Sequence, residues 1–247
     1  MAKTKAGKGG TARARAPRRS AATGRKTRPT RKPSPRKTPT KQAARAAAQK
    51  MLRVAVTGGI ATGKSYVVKR LREAGVPVVD ADVLARQAVA PHSDGLTAVV
   101  ARFGPGILTS MGELDRATLG DIVFRDQAAR HDLEAIVHPI VRRDMAEFFA
   151  RLPPETPLAM ADIPLLYETS RAREFDAVIV VACEPATQVD RIMARDGLSR
   201  EAAERRVAAQ LPIEEKVRRA DHVIRTDRSH AETDVQVAEV LRSLRSQ

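Results

Sequence analysis

The chain has 247 residues and a formal net charge of +15, which favours an anionic partner such as nucleic acid only if that charge is spread over the molecule. It is not spread: residues 1–50 contain 17 basic residues and no acidic one, whereas residues 51–247 contain 27 basic and 29 acidic residues. The single cysteine, Cys183, excludes an intrachain disulfide, and no apolar run approaches the ~20 residues that span a bilayer. Because the N-terminus also lacks the apolar stretch of a secretory signal, we expect a cytoplasmic protein with no membrane partner.

Residues 1–50 are predicted to form a disordered basic tail. They contain no Val, Ile, Leu, Phe, Tyr or Trp, so they cannot bury enough apolar surface to offset the entropy of ordering the chain. Prolines among the basic residues between Arg28 and Thr40 favour an extended backbone. Three interpretations are open: non-specific binding of nucleic acid or another polyanion, organelle targeting, or no specific role. Since the first predicted strand begins just after Met51, the tail could also be an upstream extension with a misassigned start.

A phosphate-binding loop is predicted at the start of the second segment. Its sequence, Gly58-Gly59-Ile60-Ala61-Thr62-Gly63-Lys64-Ser65, fits G-x-x-x-x-G-K-[ST] and lies between a β-rich run, Arg53–Thr57, and a helical pattern. The glycines allow consecutive backbone N–H groups to face phosphate oxygens, and the N-terminus of the helix favours an anion. Lys64 is expected to contact the β- and γ-phosphates, and the Ser65 hydroxyl to ligate Mg²⁺. The motif predicts nucleoside triphosphate binding without choosing between a kinase, a GTPase and an ATPase.

Two aspartates, Asp80 and Asp82, follow a second apolar strand, Val76–Val79. Ligands in open α/β sheets bind beyond the carboxyl ends of the strands, so a carboxylate here could accept a hydroxyl proton during phosphoryl transfer. The alternative is that one aspartate caps the following helix. Two acids allow both roles, and their residue types do not assign them.

Two further strands are predicted after a long helical stretch. Leu158–Asp162 ends in an acid, and Ala177–Val181 is a continuous apolar run of the buried type. Asp162 could help to organise Mg²⁺ or could cap a turn. Residues 83–152 are predicted to be helical, with Pro139 kinking or dividing one of the helices.

A basic helical region is predicted after the fourth strand. Pro185 opens a helix on which Arg191 and Arg195 share one face, and Arg206 lies in the next helix, for which Ser199 is the predicted N-cap. Arginines at the edge of a nucleotide site suit charge stabilisation in the transition state. The alternative is a solvated basic face that pairs with nearby acids.

Taken in order, these segments resemble the dephospho-CoA kinase family. The resemblance rests on Thr57–Ser65, Asp80–Asp82 with Ala85-Arg86, His138-Pro139, Pro164–Glu168, Arg195–Ser199 and Ala220–Ile224. It covers essentially all of residues 51–247. It implies an α/β P-loop kinase with a mostly parallel five-stranded sheet flanked by helices, a helical acceptor-binding insertion over residues 83–152 and a helical lid over residues 185–218.

The resemblance also implies a reaction, in which the γ-phosphate of ATP passes to the ribose 3′-hydroxyl of dephospho-CoA in the last step of coenzyme A biosynthesis. Asp82 would be the catalytic base, assisted by Lys64 and Arg195, and Ser65 and Asp162 would bind Mg²⁺. The residues expected to contact the nucleotide are Gly58, Gly59, Ala61, Thr62, Gly63, Lys64, Ser65, Tyr66, Arg191 and Arg206. Two alternatives are another P-loop nucleotide or small-molecule kinase, and a nucleic-acid-associated NTP-binding protein that acts through its basic tail.

The sequence departs from the family pattern at three positions. Ala61 stands where the loop often has glycine, and Tyr66 where it commonly has threonine, but neither change removes a phosphate donor. After the last strand the family usually shows an asparagine, whereas this chain has Arg225-Thr226-Asp227. We therefore expect any nucleotide or lid contact from this last position to differ.

Three predictions concern residues outside the loop and the lid. His138 is interpreted as structural, or at most as a contact to the acceptor. Glu168 either helps to position the acceptor or is simply exposed. The last helix is predicted from about Ser229 to Ser246, and nothing in the sequence indicates an oligomeric state.

Overall fold

A five-stranded parallel sheet forms the centre of residues 51–246, the part of the chain that the computed structural model describes. The strands are β1 Leu52–Gly58, β2 Val78–Asp80, β3 Leu158–Asp162, β4 Ala177–Ala182 and β5 His222–Arg225. Their order across the sheet is β2-β3-β1-β4-β5, and each neighbouring pair is parallel. The expected α/β fold is confirmed, whereas the predictions for residues 1–50 lie outside the described residues.

Nine α-helices accompany the sheet within residues 51–246. They are α1 Lys64–Glu73, α2 Ala81–Ala88, α3 Asp94–Phe103, α4 Arg116–Arg125, α5 Gln127–Arg151, α6 Pro185–Asp196, α7 Arg200–Ala208, α8 Ile213–Arg218 and α9 His230–Arg245. Short 3-10 turns cover Pro105–Ile107 and Ala172–Glu174. Over this described range, no helix combines the length and the apolarity that a membrane crossing requires.

Helices on both faces explain why the strands are almost continuously apolar. All residues of β3 and β4 are buried, as expected for parallel strands that are covered on two sides. Val54 and Val56 of β1 pack in one cluster with residues of α1 and α9. Ala55, which points to the opposite face, packs in a second cluster with residues of α5 and α8.

The segment between β2 and β3 is helical, as predicted. It contains α2 to α5 and has its own small apolar cluster around Val99, Ile107 and Leu119. Pro139 lies inside α5 and does not divide it: the helix continues unbroken over 25 residues. Asp126 caps α5 by accepting hydrogen bonds from two backbone N–H groups of its first turn.

The segment after β4 forms a helical pair, α6 and α7, and its role as a lid stays a prediction. α6 ends at Gly197, whose φ of 67° is the left-handed conformation that glycine adopts readily at a helix terminus. Ser199 caps α7 by accepting a hydrogen bond from the N–H of Ala202, which confirms the predicted N-cap. The two helices pack together through Ile192 and Ala203, and Ile60 of the phosphate-binding loop packs against the same cluster.

Candidate active site

The phosphate-binding loop lies where the central strand of the sheet ends. β1 ends at Gly58, and α1 begins directly after Gly63, so the loop backbone is at the carboxyl edge of the sheet. Gly63 has a φ of 79°, a conformation that favours glycine, and Ala61 adopts a similar φ of 57°. Gly58 is required for a different reason: a Cβ atom there would lie 2.6 Å from the carbonyl oxygen of Val181 on β4. The two motif glycines are therefore demanded by backbone geometry, one by its φ angle and the other by close packing.

A cavity of about 550 Å³ opens over this loop, a size typical of small-molecule sites. Its lining comprises all eight loop residues, Gly58 to Ser65, together with Asp82, Pro164, Arg191, Arg195 and Gln210. The segments that follow β1, β2, β3 and β4 thus meet at one place. The cavity brings together the predicted base Asp82, the loop lysine Lys64 and the lid arginines Arg191 and Arg195.

Lys64, which lines the cavity, is paired with a buried acid that does not line it. Its ammonium group donates a hydrogen bond to Oδ1 of Asp162, which is only 5% exposed. Burial raises the pKa of Asp162, the charge of Lys64 opposes that effect, and the negative charges of Asp80 and Asp82 add to it. Since Asp162 lies opposite Asp80 in the register of β2 and β3, acidic residues cluster at neighbouring strand ends beside one lysine.

The structure separates the two aspartates that the sequence left equivalent. Asp80 caps α2, because its Oδ1 accepts hydrogen bonds from the N–H groups of Asp82 at 2.8 Å and Val83 at 3.1 Å. Asp82 is exposed and lines the cavity, and its carboxylate accepts no hydrogen bond from the described residues. Capping thus falls to Asp80, which leaves the Asp82 carboxylate facing the cavity.

Two glutamines hold the middle of the loop. Nε2 of Gln188, on α6, donates to the carbonyl oxygen of Ile60 at 2.6 Å, and the N–H of Ile60 donates to Oε1 of Gln210 at 2.7 Å. Gln188 is buried, and Gln210 lies just beyond the end of α7. Sequence reasoning did not assign these glutamines a role. The available signal was the position of Gln188 on the same helical face as Arg191.

Arg191 joins the loop to the segment after β5. Its guanidinium donates to the carbonyl oxygen of Ala61 at 3.3 Å, to Oγ1 of Thr226 at 3.1 Å and to the carbonyl oxygen of Thr226 at 2.6 Å. The Thr226 hydroxyl in turn donates to the carbonyl oxygen of Thr62 at 2.7 Å. Arg191 therefore contributes positive charge to the cavity, and it also stabilises the loop through its hydrogen bond to the carbonyl oxygen of Ala61.

Arg195 and Arg206 share one carboxylate at the end of α6. The Arg195 guanidinium lies 2.7 Å from Oδ1 of Asp196, and the Arg206 guanidinium lies 2.6 Å from its Oδ2. These bonds lower the pKa of the Asp196 carboxyl group, and the bond from Arg195 has the larger effect. Arg195 lines the cavity, whereas Arg206 is not among its lining residues. Of the three arginines predicted in this region, Arg191 and Arg195 therefore line the cavity and Arg206 does not.

Tyr66 corrects one expected nucleotide contact. Its hydroxyl donates to Oδ1 of Asp234 at 2.9 Å, and its ring stacks on His230 with the ring centroids 4.2 Å apart. Both partners belong to α9, so the Tyr66 side chain packs between α1 and α9 and does not line the cavity. The eight loop residues line the cavity, and their contacts with a nucleotide stay a prediction, whereas Tyr66, the third residue of α1, lies outside the lining.

The comparisons with known proteins agree on one family. Residues 52–232 match the family model of dephospho-CoA kinase. The chain belongs to the dephospho-CoA kinase family. A dephospho-CoA kinase from Geobacillus kaustophilus is 45% identical over 192 residues, which cover 77% of this chain and 96% of the relative.

Solved structures extend the agreement to the fold. A crystal structure of a Thermus thermophilus protein superposes with a TM-score of 0.70 at 36% identity, covering 78% of this chain and 97% of that one. Dephospho-CoA kinase from Campylobacter jejuni gives a TM-score of 0.61 at 30% identity, with the same coverage of both chains. The match therefore spans almost the whole of each of these proteins.

The resemblance to the dephospho-CoA kinase family predicts an asparagine in the segment after β5, which this chain lacks. Thr226 occupies this segment, is buried, and bonds to the loop through Thr62 and to the lid through Arg191. In this chain Thr226 therefore connects the phosphate-binding loop to Arg191 on α6. It makes that connection with a hydroxyl and a backbone carbonyl.

A second cavity, of about 290 Å³, lies in the helical insertion of this dephospho-CoA kinase family member. It is lined mainly by apolar residues of α2, α4 and α5, and also by Arg116, Glu134 and His138. Burial lowers the pKa of His138, with a smaller opposing effect from Glu134, so its neutral form is favoured. Ala85 of α2 belongs to this cavity and stands three residues after Asp82, so one helix connects the two cavities.

Glu168 has a partner that neither interpretation of the sequence anticipated. Its Oε1 lies 2.7 Å from Nζ of Lys216 and accepts the N–H of Leu211 at 3.1 Å. Because Lys216 is fully buried, Glu168 supplies its counter-charge. No local pattern relates these residues, which are 48 positions apart in the chain.

Proposed function

We infer that this protein is a cytoplasmic, ATP-dependent dephospho-CoA kinase, which transfers the γ-phosphate of ATP to the ribose 3′-hydroxyl of dephospho-CoA in the last step of coenzyme A biosynthesis. The observation that carries this function is the placement of Asp82 and Lys64 on one cavity in a chain of that family. A triphosphate held by the loop has its γ-phosphate beside Lys64. An acceptor that enters from the helical insertion meets Asp82 first.

Asp82 is proposed to act as the catalytic base. As the 3′-oxygen attacks the γ-phosphorus, its hydroxyl proton passes to the Asp82 carboxylate, and the bond between the γ-phosphorus and the β,γ-bridging oxygen breaks to release ADP. Because Asp80 caps α2, the first turn of that helix is held in place, and with it the backbone that carries Asp82. The carboxylate is thus available to a hydroxyl without first losing a protein hydrogen bond.

The loop and the lid are proposed to bind the triphosphate. The loop residues Gly58, Gly59, Ala61, Thr62, Gly63, Lys64 and Ser65 would surround the phosphates, and Arg191 and Arg195, which line the same cavity, would add positive charge. Arg195 would neutralise charge that develops on the transferring phosphoryl group. Since Arg206 bonds to Asp196 outside the cavity lining, its contact with the nucleotide requires the lid to move towards the loop.

Ser65 and Asp162 fit the requirements of a magnesium site. Mg²⁺ prefers oxygen ligands, and it commonly takes one or two from the protein and the rest from phosphates and water. The Ser65 hydroxyl is exposed in the first turn of α1 and Ser65 lines the cavity, whereas the buried Asp162 carboxylate lies just behind that lining, bonded to Lys64. Residues 51–246 contain no closed group of three or more acidic, His or Cys ligands, which agrees with a metal that arrives with the nucleotide. When bound, Mg²⁺ offsets part of the negative charge of the triphosphate.

The test is the rate of ADP formation from Mg²⁺-ATP with and without dephospho-CoA, for the wild-type protein and for Asp82→Asn. We expect formation that depends on dephospho-CoA, and a kcat lowered about 10²- to 10⁴-fold in the variant, the usual contribution of a general base. Asp94→Asn is the matched control, because Asp94 occupies the first turn of α3 as Asp82 does that of α2, but lies outside the cavity. Its kcat should stay close to that of the wild type.

Two results would contradict the proposal in different ways. If ATP binds but dephospho-CoA does not stimulate ADP formation, the acceptor is wrong, and a panel of other alcohol acceptors would identify the alternative kinase. If turnover is acceptor-dependent but Asp82→Asn retains it, the reaction stands and the base is another group.

A further inference from the structure

A buried lysine lies beneath the phosphate-binding loop, outside the cavity. Lys216, on α8, has 0% side-chain exposure and is not among the lining residues of the cavity. An ammonium group removed from water is costly unless it is both paired and hydrogen-bonded. The contacts of Lys216 therefore indicate what the protein gains from placing a charge there.

Nζ of Lys216 has three oxygen partners. It lies 2.7 Å from Oε1 of Glu168, and it donates to the carbonyl oxygens of Gly58 at 3.3 Å and Pro164 at 3.5 Å. An ammonium group has three donors, so each can be directed to one of these oxygens. Gly58 is the first residue of the phosphate-binding loop, and Pro164 lines the same cavity.

The partners of Lys216 are themselves bonded to neighbouring segments. The carbonyl oxygen of Pro164 also accepts the hydroxyl of Thr57 at 3.0 Å, and Glu168 also accepts the N–H of Leu211 at 3.1 Å. Lys216 thus joins the end of β1, the segment after β3 and the chain between α7 and α8. Each of these three segments contributes a residue to the cavity: Gly58, Pro164 and Gln210.

We propose that Lys216 is a positioning residue that orients the first peptide group of the phosphate-binding loop. In a trans peptide, the carbonyl of Gly58 and the N–H of Gly59 lie in one plane and point in opposite directions. Lys216 holds that carbonyl on the side away from the cavity, so the N–H of Gly59 is turned towards the side on which the cavity opens. This inference rests on the proposed nucleotide-binding function of the loop.

The contact of Lys216 with Gly58 separates this role from a general contribution to stability. If Lys216 only anchored α8 to the sheet, its loss would lower the free energy of unfolding and leave the affinity of the folded protein for ATP unchanged. If it orients the loop amide, its loss weakens ATP binding in protein that is still folded. The KM for ATP should then rise while the KM for dephospho-CoA stays nearly unchanged, because the acceptor is not bound by the loop.

The test compares the full-length wild-type protein with Lys216→Met, which keeps most of the aliphatic stem and removes the charge. We expect the Kd of Mg²⁺-ATP from isothermal calorimetry, and the KM for ATP, to rise about tenfold, the effect of losing roughly one charge-assisted hydrogen bond. The KM for dephospho-CoA should change less than about twofold. Lys69→Met is the matched control, because Lys69 is exposed on α1 and lies 3.8 Å from Glu73; its Kd for ATP should equal that of the wild type. A folded Lys216→Met protein with unchanged Kd for ATP would overturn the proposal.

A second variant keeps the proposal testable if Lys216→Met does not fold. Glu168→Gln retains an acceptor for the N–H of Leu211 but removes the counter-charge of Lys216, so we expect a smaller rise, about threefold, in the Kd for ATP. An unchanged Kd in this variant would also overturn the proposal. Because ATP binding is measured without an acceptor, failure of dephospho-CoA to react would leave this inference standing. Conversely, acceptor-dependent turnover with unchanged ATP affinity in the variants would reject only the inference.

Discussion

At the scale of single residues, Asp162 is subject to opposing influences on its charge. Burial favours its neutral form, and so do the charges of Asp80 and Asp82, whereas the ammonium of Lys64 favours the carboxylate. The net result is a pKa above the ordinary value, with burial as the largest cause. A buried acid beside the loop lysine is thus held at a cost in stability, which is common for groups retained at functional sites.

This raised pKa makes the stability of the protein depend on pH in a defined direction. Between the ordinary pKa of an aspartate and the raised one, the folded protein binds more protons than the unfolded chain, so the free energy of unfolding falls as the pH rises. Asp162→Asn removes that contribution. We expect the stability of the wild type relative to the variant to decrease as the pH rises from about 4, the ordinary pKa of aspartate. Urea unfolding at a series of pH values measures this difference. A difference that grows with pH would show that the ion pair with Lys64 outweighs burial.

At the scale of elements, α9 is the last helix, and it packs on the same face of the sheet as α1. Ser229 and Glu232 form a capping box at its start: the Ser229 side chain accepts the N–H of Glu232 at 3.2 Å, and Glu232 accepts the N–H of Ser229 at 3.1 Å. From there the helix packs its apolar face on the sheet and receives the Tyr66 side chain from α1. The cap therefore stabilises a helix that supports the first helix of the site without touching the cavity.

Ser229→Ala is expected to lower the free energy of unfolding by about 1 kcal/mol, the usual value of an N-cap. The reason is that the N–H of Glu232 loses its acceptor, the Ser229 hydroxyl, and the reciprocal capping box is broken. The kcat should not change, because α9 contributes no residue to the cavity. Ser243→Ala is the matched control, since Ser243 is exposed inside the same helix and its side chain makes no capping hydrogen bond. Equal stability of the two variants in urea unfolding would mean that the capping box contributes nothing measurable.

For the whole molecule, the distribution of charge separates two activities. Residues 1–50 carry 17 basic side chains without an acid, whereas the remainder of the chain has a net charge of −2. Binding to a polyanion such as DNA is therefore a proposal for the tail alone, and phosphoryl transfer is a proposal for residues 51–247. The described lining residues of the cavity all belong to residues 51–247.

Deletion of residues 1–50 tests this separation. We expect ADP formation with dephospho-CoA to stay within about twofold of the full chain, because the loop, Asp82 and the arginines proposed to act in the reaction all belong to residues 51–247. Any DNA binding by the full chain should weaken steeply between 50 and 200 mM salt, by roughly 10³-fold or more if six or more phosphates are contacted, and should vanish on deletion. Fluorescence anisotropy with labelled duplex DNA measures this. DNA binding that survives the deletion would assign it to the globular part, and loss of kinase activity would tie the tail to catalysis.

The sequence by itself determined the class of fold, the loop and its flanking elements, and the candidate acids, because those features are written in short patterns. The strands are apolar runs because parallel strands are buried on both faces, and the loop motif specifies a strand before it and a helix after it. The start of α9 near Ser229 could be read in the same way from local capping chemistry.

Only the tertiary structure decided which residues meet. Tyr66 bonds to Asp234, Thr226 to Thr62, and Lys216 to Gly58, and each pair is more than 150 positions apart in the chain. Such pairs leave no periodicity in the sequence, because their contact depends on the order in which strands assemble into the sheet. For the same reason, the lysine that supports the loop from below had no local signature, whereas the lysine within the loop was evident from its motif.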